Sequence, residues 1–181
     1  MNIDAVNRMD QATFVATFGN IFEHSPWVAE RAYDMRPFAD QHALHAAMVA
    51  AVKGVGRDEQ LTLLRAHPDL AGKEARAGTM TASSVVEQAS AALDRLSAEE
   101  IARIGRLNAA YRARHGFPFI IAVRHYAKVG ILYEFERRAD SDTNLEFAAA
   151  LQQVFAITGM RIAARFEAMP TPATAAEPVQ A

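Results

Sequence analysis

The chain has 181 residues, 51% of them hydrophobic and 22% charged, with a formal net charge of −2 and no cysteine. This length suits a single domain with a substantial core, and the near-neutral charge argues against a general attraction to nucleic acid or to anionic membranes. Without cysteine, disulfides, thiolate metal sites and a cysteine nucleophile are excluded, so histidines and carboxylates must carry any acid-base chemistry.

The N-terminus has neither the basic start nor the apolar stretch of a secretory signal. No apolar run approaches the roughly 20 residues that a membrane span needs. We therefore expect a cytoplasmic protein that binds neither membranes nor nucleic acid.

The first third of the chain predicts four helices, because hydrophobic residues recur there with helical spacing. They are expected over 11–22, over a short stretch from Ser25-Pro26, over about 38–53, and over 57–66. Asp10 can cap the first helix, and Ser25 can cap the second with Pro26 at its first position. Gly54 marks the end of the third. The first helix predicts a core-facing stripe of Phe14, Phe18, Ile21 and Phe22.

The later helices have clearer start signals. Ser97 and Glu100 form the S-x-x-E pattern of a capping box, and the helix that they begin should end at Gly116. Thr143 and Glu146 repeat the pattern before a long helix to about residue 168. Between the two groups of helices, we expect an irregular, polar stretch over 73–84 and a helix over about 84–96.

Together these elements predict an all-α, single-domain bundle of about eight helices over residues 1–169, with a short extended segment near 117–123. Pro118 favours that extended start in the apolar run FPFIIAVR. Its buried backbone groups need partners, which could come from a ligand with amide-like edges or from neighbouring helices. Arg124, directly after it, could hold an anion or reach solvent. Residues 170–181, rich in Pro and Ala, predict a disordered tail.

His67 is the first candidate for chemistry, because Pro68 ends the preceding helix and leaves a titratable imidazole in a loop. Taken alone, a histidine beside a helix end is more often a dipole partner or simply solvated. Ser84, Glu87 and Gln88 share one helical face and could contact a ligand, although Ser84 and Glu87 also fit a capping box. His42 and His45 share a face too, but no third metal ligand with fitting spacing accompanies them.

Five motifs, in order, resemble one known family. They are EHSPWVAERA at 23–32, RPF at 36–38, LLRAHPDLAGK at 63–73, SSVVEQASAALDRL at 83–96 and LNAAYRARHGFPFIIAVR at 107–124. Their order and spacing over most of residues 10–166 resemble the 2-oxo-4-hydroxy-4-carboxy-5-ureidoimidazoline (OHCU) decarboxylases of urate breakdown. The resemblance implies an all-α fold and conversion of OHCU to (S)-allantoin without a cofactor or a metal.

The resemblance also implies roles for individual residues. His67 would be the catalytic proton donor, and Glu87 would contact the substrate as a second catalytic residue. From the chemistry we further hypothesise that Glu87 orients His67 and pairs with ureido or ring N–H groups, while His67 bonds the 4-hydroxyl. The substrate-binding residues would be Pro68, Ser84, Gln88, Phe119, Ile120, Ile121, Ala122, Val123 and Arg161. The residues at 119–123 would act through backbone groups, and Arg161 is a candidate for holding the substrate's negative charge. A cofactor-free site fits the chemistry, because a ring C=N unit next to the carboxylated carbon can take up the electrons that other enzymes pass to a cofactor.

Two alternatives stay open from the residues themselves. His-Pro-Asp at 67–69 is also the loop tripeptide of J-domain co-chaperones, although the preceding LTLLRA has a single Arg and no Tyr, where those domains have a basic helix with a Tyr. The chain could also be a helical module that binds ureides or purines without turnover. A homodimer is possible for each of these functions.

Overall fold

The computed structural model describes residues 1–72, 75, 77–91, 93 and 95–168 of the chain. Its helices with defined bounds are α1 (Ile3–Asn7), α2 (Gln11–Phe18), α3 (Trp27–Tyr33), α4 (Gln41–Lys53), α5 (Arg57–Arg65), α6 (Ala82–Ser90), α7 (Ala98–His115), α8 (Lys128–Ala139) and α9 (Thr143–Glu167), with a 3₁₀ turn at Val123–His125. No strand occurs in these described ranges. The predicted all-α domain is confirmed, whereas the predicted tail at 170–181 lies outside the described residues.

Several helix ends follow the predicted local chemistry. The Asp10 carboxylate accepts a hydrogen bond from the backbone N–H of Thr13, 2.7 Å away, and so caps α2. Ser97 and Glu100 form the reciprocal capping box of α7. Gly116 ends that helix in the left-handed region at φ 78°, which glycine adopts without the steric cost of a Cβ.

Two capping predictions are wrong. The Thr143–Glu146 capping box does not form, because Asp142 caps α9 through the N–H groups of Asn144 and Leu145. Glu146 is instead buried and accepts hydrogen bonds from the Arg138 guanidinium. At α3, Ser25 gives no side-chain cap, and its hydroxyl donates to the Glu23 carbonyl.

The capping-box alternative for Ser84 and Glu87 does not hold in α6, the helix that carries them. Thr81 is its N-cap and accepts from the Ser84 N–H, so α6 begins earlier than predicted. It also ends at Ser90, before the predicted end near residue 96. The predicted irregular stretch at 73–84 is only partly within the described residues. Because Thr81 satisfies the helix end, the Ser84 and Glu87 side chains remain available for other contacts.

Two helices have no counterpart among the predicted elements, α1 at the N-terminus and α8 over 128–139. In α8, Ile131, Leu132 and Phe135 are buried with helical spacing, so the signal is present in the sequence. The segment between α7 and α8 is extended over 117–122, as predicted, and then forms the 3₁₀ turn.

The core is formed mainly by side chains of α3, α4, α8 and α9, together with the apolar segment at 117–123 and smaller contributions from the other helices. The predicted stripe of Phe14, Phe18, Ile21 and Phe22 is buried, although α2 itself ends at Phe18. By length and composition α9 could cross a membrane. It packs against α4, α5 and α7, so we assign it as the central core helix. α6 packs against the 3₁₀ turn, and this contact places the Ser84–Gln88 edge of α6 beside the apolar segment.

Candidate active site

His67 lies in the loop after α5 with only 7% of its surface exposed. Its ring atom Nδ1 is 3.0 Å from the carbonyl oxygen of Leu63. A carbonyl can only accept, so Nδ1 carries the hydrogen and Nε2 presents a lone pair. Nε2 is buried and has no hydrogen-bond partner among the described residues. A buried polar atom of this kind needs an explanation, and a ligand that donates to it would supply one.

The protonation state of His67 follows from its burial. Burial lowers its pKa to about 4, because the charged imidazolium would lose its hydration. The nearby negative charge of Glu23 and the bond to Leu63 act in the opposite direction, while the charge of Arg161 adds to the lowering. At neutral pH His67 is therefore uncharged and can accept a proton at Nε2.

The loop that carries His67 is fixed to α7 and α6 by its other polar groups. The Asp69 carboxylate accepts from Nε of Arg112 at 2.7 Å, and the Asn108 amide donates to the Leu70 carbonyl at 2.9 Å. The Ala71 N–H donates to Oε1 of Gln88, also at 2.9 Å. Asp69 therefore anchors the loop, and the Gln88 side chain contacts this loop as well as the site.

A buried ion cluster of Glu23, Glu87 and Arg161 lies beside His67. The Arg161 guanidinium donates to both oxygens of Glu87, at 2.7 and 2.8 Å, and to Oε2 of Glu23 at 2.8 Å. Oε1 of Glu23 accepts from the hydroxyls of Thr81 at 2.6 Å and Ser84 at 3.0 Å. The cluster joins the turn before α3 to α6 and α9.

Glu23 is the site residue that sequence reasoning missed, although it lies in the EHSPWVAERA motif. Only 1% of its surface is exposed. Burial raises its pKa, but the Thr81 hydrogen bond and the Arg161 charge outweigh burial and leave the pKa below its usual value. Glu23 is therefore an anion that holds Arg161 and Ser84 in place. A buried carboxylate next to a turn gives no periodic signal, so only the fold identifies it.

Arg161 has no N–H left for a substrate. Besides its bonds to the two carboxylates, it donates to the Ile21 carbonyl at 3.2 Å and the Ser84 hydroxyl at 3.3 Å. A guanidinium has five N–H groups, and the five hydrogen bonds of Arg161 use all of them. Two carboxylates against one guanidinium leave the cluster with a net charge of −1. The expected role of Arg161 in holding the substrate's negative charge is therefore not supported by the geometry.

Glu87 makes no hydrogen bond to the His67 ring, contrary to the expected orienting role. The bond that orients His67 comes from Leu63. Glu87 instead accepts hydrogen bonds from Nε and Nη2 of Arg161, and it lines the same cavity as His67. Its carboxylate oxygens can accept further hydrogen bonds from a ligand there.

The apolar segment at 117–123 forms the opposite wall and is held at two points. The Ile120 carbonyl accepts from Nη1 of Arg138 at 3.0 Å, and the Ala122 N–H donates to Oε1 of Gln153 at 2.9 Å. The backbone groups of Ile121, between these two points, make no hydrogen bond to the described residues. They are the groups that this wall can offer to a ligand.

These elements enclose a cavity of ≈ 50 Å³. It is lined by His67, Pro68, Ser84, Glu87, Gln88, Phe119, Ile120, Ile121, Val123, Ile157 and Arg161. Ten of the eleven site residues predicted from the sequence are in this set. Ala122 is the exception, because its N–H turns to Gln153, and Ile157 was not predicted. The cavity combines a proton acceptor, the Glu87 carboxylate and an apolar wall.

Two other histidines, His45 and His115, are held by contacts within the fold. His45 contacts the Thr158 hydroxyl at 3.0 Å, and His115 contacts the Thr143 hydroxyl at 3.0 Å and the Ala139 carbonyl at 3.2 Å. His42 is exposed. Within the part of the chain that the structure describes, no group of three His, Asp or Glu residues could hold a metal ion.

Comparison with known proteins places this geometry in context. A family model described as OHCU decarboxylase matches residues 7–163. A 2-oxo-4-hydroxy-4-carboxy-5-ureidoimidazoline decarboxylase of Haloferax volcanii is 46% identical over 166 residues, covering 92% of this chain and 96% of the relative. A putative enzyme of the same name from Homo sapiens is 40% identical over 170 residues, covering 94% and 98%.

Solved structures agree. The fold is similar to a crystal structure of (S)-allantoin synthase with a TM-score of 0.73 and 31% identity, covering 91% of this chain and 54% of that one. It is also similar to an OHCU decarboxylase crystallised in the presence of (S)-allantoin, with a TM-score of 0.66 and 20% identity over 88% of this chain and 99% of that one. The second similarity, at this identity, supports the fold.

Proposed function

The chain belongs to the OHCU decarboxylase family, and on this premise we propose that the cavity at His67 is where it converts OHCU to (S)-allantoin without a bound cofactor. Decarboxylation of OHCU to allantoin in urate degradation is the activity of the family. Membership over most of the chain sets aside the J-domain co-chaperone and the module without turnover. The role of each residue in the cavity then follows from the electrons and protons that the reaction moves.

The electrons of the broken bond stay in the substrate. As the C4–carboxylate bond breaks, its electron pair forms a C4=C5 double bond, and the former C=N nitrogen takes a proton. The resulting enol becomes allantoin when the 4-hydroxyl loses its proton, C4 becomes a carbonyl and C5 gains a hydrogen. Overall, the carboxylate leaves as carbon dioxide and one proton is taken up. The protein therefore needs to orient the substrate and move protons.

His67 fits the proton transfer at both ends. Uncharged, with hydrogen on Nδ1, it accepts a proton from the 4-hydroxyl at Nε2. The imidazolium then gives that proton to C5 from one face, which yields a single enantiomer. The expected proton donor is thus a proton acceptor first, and the low pKa makes its charged form a strong acid.

The Glu23–Arg161–Glu87 cluster can accept hydrogen bonds from the N–H groups of the substrate. A ureido group carries N–H groups, which the free lone pairs of the Glu87 carboxylate can accept. Because the cluster is negative, the substrate carboxylate is oriented away from it, toward the apolar side chains of Phe119, Ile121 and Ile157. A carboxylate held against an apolar wall loses hydration, which favours its conversion to neutral carbon dioxide.

The observation that carries this assignment is the buried, unpartnered Nε2 of His67 facing the cavity. His67→Gln should lower kcat by about 10² to 10⁴-fold, the usual contribution of general acid-base catalysis. Substrate is generated from urate with urate oxidase and hydroxyisourate hydrolase, and (S)-allantoin is followed by circular dichroism. His42→Gln, which changes an exposed histidine, is the matched control. Full, stereospecific activity of a folded His67→Gln protein would remove His67 from the mechanism.

A further inference from the structure

The catalytic cavity lies beside a larger groove that has no part in the proposed mechanism. The groove has a volume of ≈ 340 Å³ and shares Glu87 and Arg161 with the ≈ 50 Å³ cavity. The catalytic cavity is therefore much the smaller of the two spaces. The groove lies against the same Glu87–Arg161 pair that lines the cavity.

The charges of the catalytic cavity oppose an anionic substrate. Glu23 and Glu87 outnumber Arg161, all five Arg161 donors are occupied, and His67 is uncharged at neutral pH. OHCU carries a carboxylate and is therefore an anion at neutral pH. A site with a net charge of −1 repels it at long range, and the protein needs a compensating positive field near the entrance.

Arg124 and Arg165 supply that field. Both line the groove, both are exposed, and neither makes an ion pair or a hydrogen bond to the described residues. Glu87 is the one acidic residue among the described residues that line the groove, and it is already paired with Arg161. An unpaired guanidinium at the surface offers its full fork of donors to a carboxylate.

We propose that Arg124 and Arg165 form an anion-recruiting subsite, which captures the carboxylate of the substrate before the ring enters the catalytic cavity. The inference rests on the proposed function, because it takes the carboxylate substrate from it. It adds a selectivity for substrate over product. Allantoin has lost the carboxylate and is uncharged at neutral pH, so the subsite attracts what enters the reaction and not what leaves it.

The test separates recruitment from general damage to the site. Arg124→Gln and Arg165→Gln should each raise KM for OHCU about 2- to 5-fold at low salt, as expected for loss of one solvated charge contact, and the double variant more. kcat and the inhibition constant of allantoin should not change. The effect should shrink in 0.15 M salt, where the screening length is about 8 Å.

Arg106→Gln is the matched control, because Arg106 is an exposed arginine on α7 that lines neither the groove nor the cavity. Variants that behave like Arg106→Gln would overturn the inference, and so would a parallel rise in KM and in the inhibition constant of allantoin. A direct measurement of ligand binding tests the subsite without turnover. Allantoate, an anionic diureide, should bind the double variant more weakly than the native protein, while binding of neutral allantoin stays unchanged. If the native protein did not convert OHCU, that result would contradict the proposed function, and the binding experiment would still test the subsite.

Discussion

At the scale of single residues, the site depends on which hydrogen-bonding groups are already occupied. The bond from Nδ1 of His67 to Leu63 leaves Nε2 as the free acceptor. The five bonds of Arg161 leave it unable to bind a carboxylate, so it acts as a support for Glu87 and not as a substrate ligand. Glu23 carries no direct chemistry in this scheme, but it holds Arg161 and Ser84. The groups that remain for the substrate are therefore those without a hydrogen-bond partner within the described part of the protein.

The pH dependence of the rate is a consequence of the low His67 pKa. The uncharged form is the active one, so kcat/KM should be retained as the pH falls through 6.5, where a free histidine titrates, and should be lost near pH 4. Initial rates measured after a pH jump from a neutral substrate solution test this. An acidic limb near pH 6.5 would mean that His67 is hydrated and ordinary in the working enzyme.

At the scale of elements, the extended segment at 117–122 is the main departure from a helical bundle. Gly116 ends α7 with a positive φ, and Pro118 disfavours the α region before it, so the chain leaves the helix at this point. Its backbone is then held by Arg138 of α8 and Gln153 of α9. Between these two contacts the Ile121 peptide groups remain available to the substrate. Two helix side chains thus do what a neighbouring strand would do in a sheet.

Gln153 offers a test of this wall through a matched pair of variants. Gln153→Leu removes the acceptor of the part-buried Ala122 N–H, so the wall loosens and kcat/KM should fall roughly 5- to 30-fold, equivalent to about 1 to 2 kcal/mol of transition-state stabilisation. Gln153→Glu keeps an acceptor oxygen and should retain most activity. The enantiomeric excess of allantoin should also fall in Gln153→Leu, because a looser wall no longer fixes the ring face toward His67. Equal loss in both variants would contradict a role for this bond.

At the scale of the whole molecule, a second buried ion pair joins distant parts of the chain. Arg138 and Glu146 are 4% and 2% exposed, and the Tyr111 hydroxyl also donates to Glu146. Arg138 contacts the face of the Phe119 ring as well, with its guanidinium carbon 4.6 Å from the ring centre. The network therefore joins α7, α8, α9 and the substrate wall. Burial and the Glu146 charge raise the pKa of Tyr111, so it stays a hydrogen-bond donor.

Breaking this pair should destabilise the fold as a whole. Glu146→Gln leaves the Arg138 charge buried without a counterion, and we expect a loss of about 3 to 5 kcal/mol in the free energy of unfolding. Urea denaturation measures it. Glu134→Gln, which breaks the more exposed Glu134–Arg137 pair on α8, should cost about 1 kcal/mol or less. Similar losses of unfolding free energy in the two variants would show that the buried pair contributes no more to stability than the exposed one.

Sequence by itself determined the helical class, most helix positions, the extended segment and nearly all of the residues that line the cavity. Hydrophobic spacing, Gly116 and the Ser97–Glu100 box act within a few residues, and local steric and hydrogen-bonding preferences decide such features. The motif resemblance supplied the family and the candidate site.

Tertiary structure alone decided how those residues are connected. Glu87 lies 74 positions from Arg161, and Glu23 lies 138 positions from it, yet the three form one cluster. Glu146 shows the same limit, because its spacing from Thr143 predicted a cap, while a buried arginine from α8 took its carboxylate. A buried charge goes to the partner that compensates its lost hydration, and that partner is set by packing of distant segments.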